Sequence, residues 1–124
     1  MGAAIKAAIA SGEVKRSDVF VTTKISTRSP ADCTTASALA AVKADVEQLG
    51  LTQVDLVLQH FPCSSDAENQ AVWTALVEAK ASGLTRAIGV SHFSQAQLQA
   101  IMSMGKVSAR AQVQVRQWDD GVRQ

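Results

Sequence analysis

Polar residues able to do chemistry follow short apolar runs at several places in this chain. Lys24 follows Val19–Thr23, His60 follows Val54–Gln59, Ser91 and His92 follow Arg86–Val90, and Gln112 lies within Ala111–Val115. If the runs are parallel strands, these positions gather at the carboxyl ends of a sheet, where loops converge and helix N-termini point their donors. A lysine there can stabilise developing negative charge, and a histidine can move a proton near neutral pH. A serine hydroxyl and a glutamine amide can hold a polar ligand by hydrogen bonds. Plainer roles compete with each reading: a solvated strand end for Lys24, a cap for Ser91, a satisfied polar group on a strand face for Gln112. Cys33 and Cys63 stand thirty positions apart, with no C-x-x-C spacing and no histidine cluster. Neither a zinc site nor a disulfide is expected from them, and a reducing compartment fits.

The composition bounds what such a site can serve. Of 124 residues, 47% are hydrophobic and 19% charged, the profile of a folded domain rather than a disordered chain. Twelve basic against eleven acidic residues leave a net charge of +1 with no like-charge block. Attraction to nucleic acid or anionic lipid is therefore unsupported, and a small molecule is the default partner. No continuous apolar segment suggests a signal peptide or a membrane span. There are three Phe, two Trp and no Tyr, so the core must be filled by Val, Leu, Ile and Ala.

The elements that would position these residues alternate. Gly2–Ala10 is alanine-rich with Ile5 and Ile9 one turn apart, a helix ending near Ser11 before Gly12. Val19–Thr23 is a strand closed by Lys24. Ser29-Pro30-Ala31-Asp32 combines a hydroxyl cap, a proline at the first turn and a carboxylate, predicting a helix from there to Leu49, with Gly50 ending it. Val54–Gln59 is a second strand, and Phe61-Pro62 cannot continue it. Residues 67 to 81 carry Val72, Leu76 and Ala79 at helical spacing, and Gly83 stops them. Arg86–Val90 is a third strand. Ser94 and Gln97 form a capping box for a helix carrying Leu98 and Ile101 that fades near Met104-Gly105. Ala111–Val115 is a fourth strand with Gln112 and Gln114 on one face. The alternation predicts a parallel α/β protein of about four strands and four helices, since helices separate successive strands.

Together these motifs resemble the aldo-keto reductase family. The resemblance rests on Lys15-Arg16-Ser17-Asp18-Val19-Phe20-Val21-Thr22-Thr23-Lys24, then Leu49-Gly50-Leu51 and Val54 to Pro62. It continues with Trp73, Leu76, Gly83 and Arg86-Ala87-Ile88-Gly89-Val90-Ser91-His92-Phe93, and ends at Gln112. It implies a partial (β/α)₈ TIM barrel, with residues 1–116 as its central part and 117–124 as a divergent polar tail. It further implies an oxidoreductase that reduces aldehydes or ketones with NADPH, acting on a small-molecule carbonyl substrate in the cytoplasm. Lys24 and His60 would match the family's catalytic lysine and histidine. Ser91, His92 and Gln112 would match the positions that hold the nicotinamide carboxamide, with His92 standing where the family usually has Asn.

The family's catalytic aspartate and tyrosine have no counterpart in these 124 residues. A complete barrel takes about 250 residues, so the chain reads as a fragment whose own activity is weak or absent. Self-association through exposed sheet edges is expected of such a piece. The competing reading is a noncatalytic remnant that serves as a binding or interaction module.

Overall fold

A computed structural model describes residues 1–105. Helices α1 (Gly2–Ala10), α2 (Thr35–Leu49), α3 (Asp66–Ala81) and α4 (Gln95–Met102) accompany strands β1 (Thr22–Ile25), β2 (Val54–Gln59) and β3 (Thr85–Val90). The strands form one parallel sheet in the order β1-β2-β3. The parallel α/β class expected from the alternation is thus observed. The fourth strand over 111–115, Gln112 and the tail 117–124 lie outside the described residues. No helix among the described residues is long and apolar enough to cross a membrane.

One face of the sheet is covered by helices. Ala38, Val42 and Val46 recur every fourth residue on α2, so they line one side of it and are buried. Val72, Trp73, Leu76 and Ala79, one to three residues apart, likewise line one side of α3, and share a core with Ile25, Val57, Ile88 and Val90 of the sheet. Leu56 and Leu58 point to the other face and are absent from that cluster, although both are buried. Helix α1 reaches α2 through Gly2, where a Cβ would come within 2.7 Å of the Leu49 carbonyl oxygen. Gly50 ends α2 in the left-handed region at φ 66°, which glycine enters without steric cost.

Two element boundaries differ from the sequence expectation. Strand β1 spans Thr22–Ile25, so it begins three residues after the expected Val19, and Lys24 lies inside it rather than after it, paired with Leu58. The apolar run ends at Val21, but strand extent follows the ladder with β2, which continues to the Ile25–Gln59 pair. The Ser29-Pro30 start is real but short. Ser29 donates its amide and hydroxyl to Asp32 Oδ2 at 3.1 and 2.8 Å, and the turn Pro30–Asp32 stops at Cys33. A second start follows, with the Thr34 hydroxyl accepting from the Ser37 amide at 3.1 Å. Two capping signals five residues apart compete, and the later one begins the long helix.

The expectation that Cys33 and Cys63 would not pair is overturned: they form a disulfide, with Cα atoms 6.2 Å apart. Each lies in the loop that follows a strand, Cys33 after β1 and Cys63 after β2. Parallel pairing in register puts those loops side by side, a proximity that a search for C-x-x-C spacing does not detect. The inference of a reducing compartment from cysteine usage loses its basis.

Candidate functional site

Register decides which side chains share a face. Lys24 pairs with Leu58, and Leu58 with Gly89. Side chains alternate along a strand, so His60 and Ser91, two residues beyond Leu58 and Gly89, return to the face that Lys24 occupies. Gln59, between them, turns the opposite way and is fully buried, donating from Nε2 to Asn69 Oδ1 of α3 at 3.1 Å. The backbone carries the ladder one step past the strands: the His60 amide donates to Ile25 O at 3.1 Å, and the Ser91 amide to Gln59 O at 2.9 Å.

His92 binds these strand ends together. Its Nδ1 lies 3.0 Å from His60 O and 2.9 Å from Ser91 Oγ. A carbonyl oxygen can only accept, so Nδ1 carries the hydrogen and shares it between the two oxygens. The Ser91 hydroxyl hydrogen is then left to donate elsewhere, and Nε2 of neutral His92 becomes an acceptor with no partner among the described residues. His92 adopts φ 60°, the left-handed region that Asn, Asp and His enter more readily than other non-glycine residues. This backbone requirement accounts physically for His standing where the family resemblance leads one to expect Asn.

Three rings pack at this end. Phe61 stacks on His60 at 4.1 Å between centroids and on His92 at 4.7 Å, while His60 and His92 are tilted at 5.7 Å. Arg28 lies over the Phe61 ring at 4.9 Å, and the Thr27 hydroxyl donates to Phe61 O. The loop after β1 and the loop after β2 are therefore tied by a disulfide, a hydrogen bond and a cation–π contact. Phe61, Thr27 and Arg28 were not legible as site residues, because their role depends on two loops meeting.

Burial of His60 lowers its pKa below the usual imidazole value, and the positive charges of Lys24 and Arg28, with that of His92 whenever its ring is protonated, add to the effect. At neutral pH His60 is a neutral donor rather than an imidazolium. A folded-state pKa below the ordinary value of about 6.5 means the unfolded chain takes up the proton first. The stability that neutral His60 contributes is therefore complete above about pH 6.5 and is lost as pH falls toward the folded value. Histidine-ring NMR should show His60 titrating below a free imidazole, and Lys24→Met should move it upward. An unchanged midpoint in Lys24→Met would show that the lysine does not act on His60.

Lys24 itself is exposed and lines a hollow of about 390 Å³ along the edge of β1 that is unpaired among the described residues, with Thr22, Asp45 and Gln48. Thus the structure joins His60, Ser91 and His92 by direct contacts and sets Lys24 on their face. Gln112 lies outside the described residues.

A second charged cluster sits at the opposite end of the strands. Asp55 Oδ2 accepts from Arg16 Nη2 and the Val21 amide, both at 2.8 Å, and Oδ1 faces Arg86 at 3.6 Å. Burial alone would raise the Asp55 pKa, but the Val21 amide and the two guanidiniums offset this and hold it below the ordinary carboxylate value. Arg16 also donates to Val19 O and Gln53 O, so the cluster closes the amino-terminal end of the sheet. In barrels of parallel strands that end serves stability rather than catalysis.

The sequence matches a family-wide pattern: the model of the aldo/keto reductase family fits residues 1–117. The chain belongs to the aldo-keto reductase family. An aldo-keto reductase of Mycolicibacterium vanbaalenii is 41% identical over 102 residues, covering 82% of this chain and 36% of that protein. The crystal structure of an aldo-keto reductase of the silkworm, Bombyx mori, superposes with a TM-score of 0.79 at 31% identity, over 92% of this chain and 36% of the other. A second Bombyx mori aldo-keto reductase, crystallised in complex with NADP, gives 0.74 at 30% identity over 92% of this chain and 38% of its own. The described β/α units are thus consecutive units of an aldo-keto reductase (β/α)₈ barrel. The chain spans little more than a third of the length of these relatives.

Proposed function

We propose that this aldo-keto reductase chain supplies the lysine and histidine side of an NADPH-dependent carbonyl reductase. The observation that carries the reading is His60, kept neutral on the face that Lys24 shares at the carboxyl end of the sheet, with its backbone fixed by the Ile25 and His92 hydrogen bonds. Residues 1–116 form the functional unit in this reading and 117–124 a polar tail.

The donor set suits a nicotinamide cofactor. A primary carboxamide offers one acceptor oxygen and one donor NH₂, and the pair formed by the Ser91 hydroxyl and His92 Nε2 presents the complement. Gln112 is proposed to complete that grip. When bound, NADPH supplies the hydride. His60 donates its ring N–H to the substrate carbonyl oxygen, orienting it, and Phe61 keeps the imidazole plane from turning. The Lys24 ammonium would stabilise negative charge developing on that oxygen. Lys24 would also lower the pKa of a neighbouring phenol by favouring the phenolate, making a tyrosine an effective proton donor near neutral pH. The 124 residues contain no tyrosine, so in this reading the donor comes from outside them.

The substrate class is proposed to be a small aldehyde or ketone, and the setting cytoplasmic, as in the family. In that setting the Cys33–Cys63 bridge is exposed to reducing thiols. The edge of β1 that is unpaired among the described residues, where Thr22 and Lys24 are exposed, is the proposed route of self-association.

The second reading, a noncatalytic binding or interaction module, is favoured by the missing tyrosine. Titration with NADPH separates the two. Saturable quenching of Trp73 or Trp118 fluorescence is expected if the site is retained, and a flat titration of folded chain would favour the module.

A further inference from the structure

We propose that the Cys33–Cys63 bridge is an exchange site for small anionic thiols, with Cys33 as the sulfur attacked and Cys63 as the leaving thiolate. A cavity of about 210 Å³ is lined by both cysteines together with Thr27, Arg28, Ser29, Phe61 and Ser64. The cysteines are only 5% and 8% exposed, so this cavity is the route by which a thiol reaches them. Arg28 at its wall is exposed and has no carboxylate partner among the described residues, which favours an anionic visitor.

The two sulfurs have opposite surroundings. Cys63 Sγ lies 3.5 Å from Gln59 Nε2, a buried amide nitrogen whose two hydrogens are shared among Phe61 O, Asn69 Oδ1 and this sulfur, and a thiolate there would draw one of them toward itself. A donor aimed at sulfur stabilises the thiolate and makes Cys63 the better leaving group. Cys33 Sγ faces the Thr27 carbonyl oxygen at 3.6 Å, an acceptor that suits a protonated thiol and opposes a thiolate. Gln59 is itself fixed by its bonds to Phe61 O and Asn69 Oδ1, and Asn69 Oδ1 also accepts the Cys63 amide at 2.7 Å.

The exchange balances as follows. The incoming thiolate sulfur bonds to Cys33 Sγ as the Sγ–Sγ bond breaks, and the electron pair leaves on Cys63 Sγ. A second thiolate attacks the visitor's sulfur in the mixed disulfide, and the electron pair of that bond leaves on Cys33. The two protons given up by the attacking thiols end on Cys33 and Cys63. Two electrons pass to the bridge and one small-molecule disulfide is released. Opening the bridge removes the covalent tie between the loop that carries Arg28 and the loop that carries His60 and Phe61.

The test uses the folded chain in native buffer, with glutathione as the anionic thiol and 2-mercaptoethanol as the neutral one. Aliquots are quenched with an alkylating reagent and mapped by mass spectrometry. The bridge should open without denaturant, with the glutathione adduct on Cys33 and the alkyl label on Cys63. Arg28→Gln, an exposed substitution, should slow opening by glutathione about fivefold while leaving the neutral thiol unaffected. Cys63→Ala treated with glutathione disulfide should hold a lasting adduct on Cys33. Opening only in urea, an adduct on Cys63, or an Arg28→Gln chain as fast as the parent with glutathione would overturn the proposal.

Discussion

Mixed with NADPH and an aromatic aldehyde, the 124-residue chain by itself should oxidise the cofactor about 10²–10⁴ times more slowly than the Mycolicibacterium vanbaalenii relative under the same conditions. That factor is what a positioned general acid contributes. The chain holds Lys24 and His60 but no tyrosine, and neither residue replaces a phenol. His60 is neutral and its N–H can orient a carbonyl, yet giving up that proton would leave an imidazolate, a far poorer outcome than a phenolate beside an ammonium. Lys24 is exposed on an edge strand, where water competes for its charge. Cofactor oxidation followed by absorbance measures the rate. Turnover close to that of the relative and lost in Lys24→Met would show that the chain contains its own proton donor.

Asp55→Ala should destabilise the fold by about 3–5 kcal/mol, measured as a shift of the urea midpoint at unchanged slope. The side chain is only 7% exposed and holds Arg16, the Val21 amide and Arg86 at once. Truncation leaves the Arg16 guanidinium partly buried without its carboxylate, which costs more than the hydrogen bonds alone. Arg86→Gln is the control. With its side chain 70% exposed and 3.6 Å from the carboxylate, it should cost less than about 1 kcal/mol. The pH dependence has a fixed sign. A depressed Asp55 pKa contributes stability that is complete above the ordinary aspartate value near 3.9 and lost as pH falls through the lower folded value. An Asp55→Ala midpoint within experimental error of the parent would remove the cluster from the account of stability.

How much of this was legible in the amino-acid sequence depends on the range of the signal. Helix ends were readable because their causes are local: Gly50 and Gly83 take left-handed backbone, and Ser94 with Gln97 forms a reciprocal cap at 2.9 and 3.2 Å. β2 and β3 were found by their apolar runs, but the expected β1 at Val19–Thr23 overlaps the observed Thr22–Ile25 only at Thr22 and Thr23, since its extent is defined by pairing with β2 rather than by the apolar character of Val19–Val21. The site was half legible. Lys24, His60, Ser91 and His92 follow from strand ends, and the sheet register puts Lys24, His60 and Ser91 on one face. The Phe61 stack, the Arg28 contact and the disulfide were not, because each joins residues from consecutive loops whose adjacency exists only once the sheet has formed. Asp55 was hidden for the same reason. A lone acid in an apolar strand announces a partner but does not say that Arg16 and Arg86 flank it.

The central claim is that His60, Ser91 and His92 form one site shaped for a nicotinamide carboxamide and a carbonyl. The most direct measurement is histidine-ring NMR of the folded chain during titration with NADPH. Both rings should shift along one saturable curve, with His92 losing its response in Ser91→Ala before His60 does. Ring signals of His60 and His92 that stay in place at saturating cofactor, in a chain that remains folded, would contradict it.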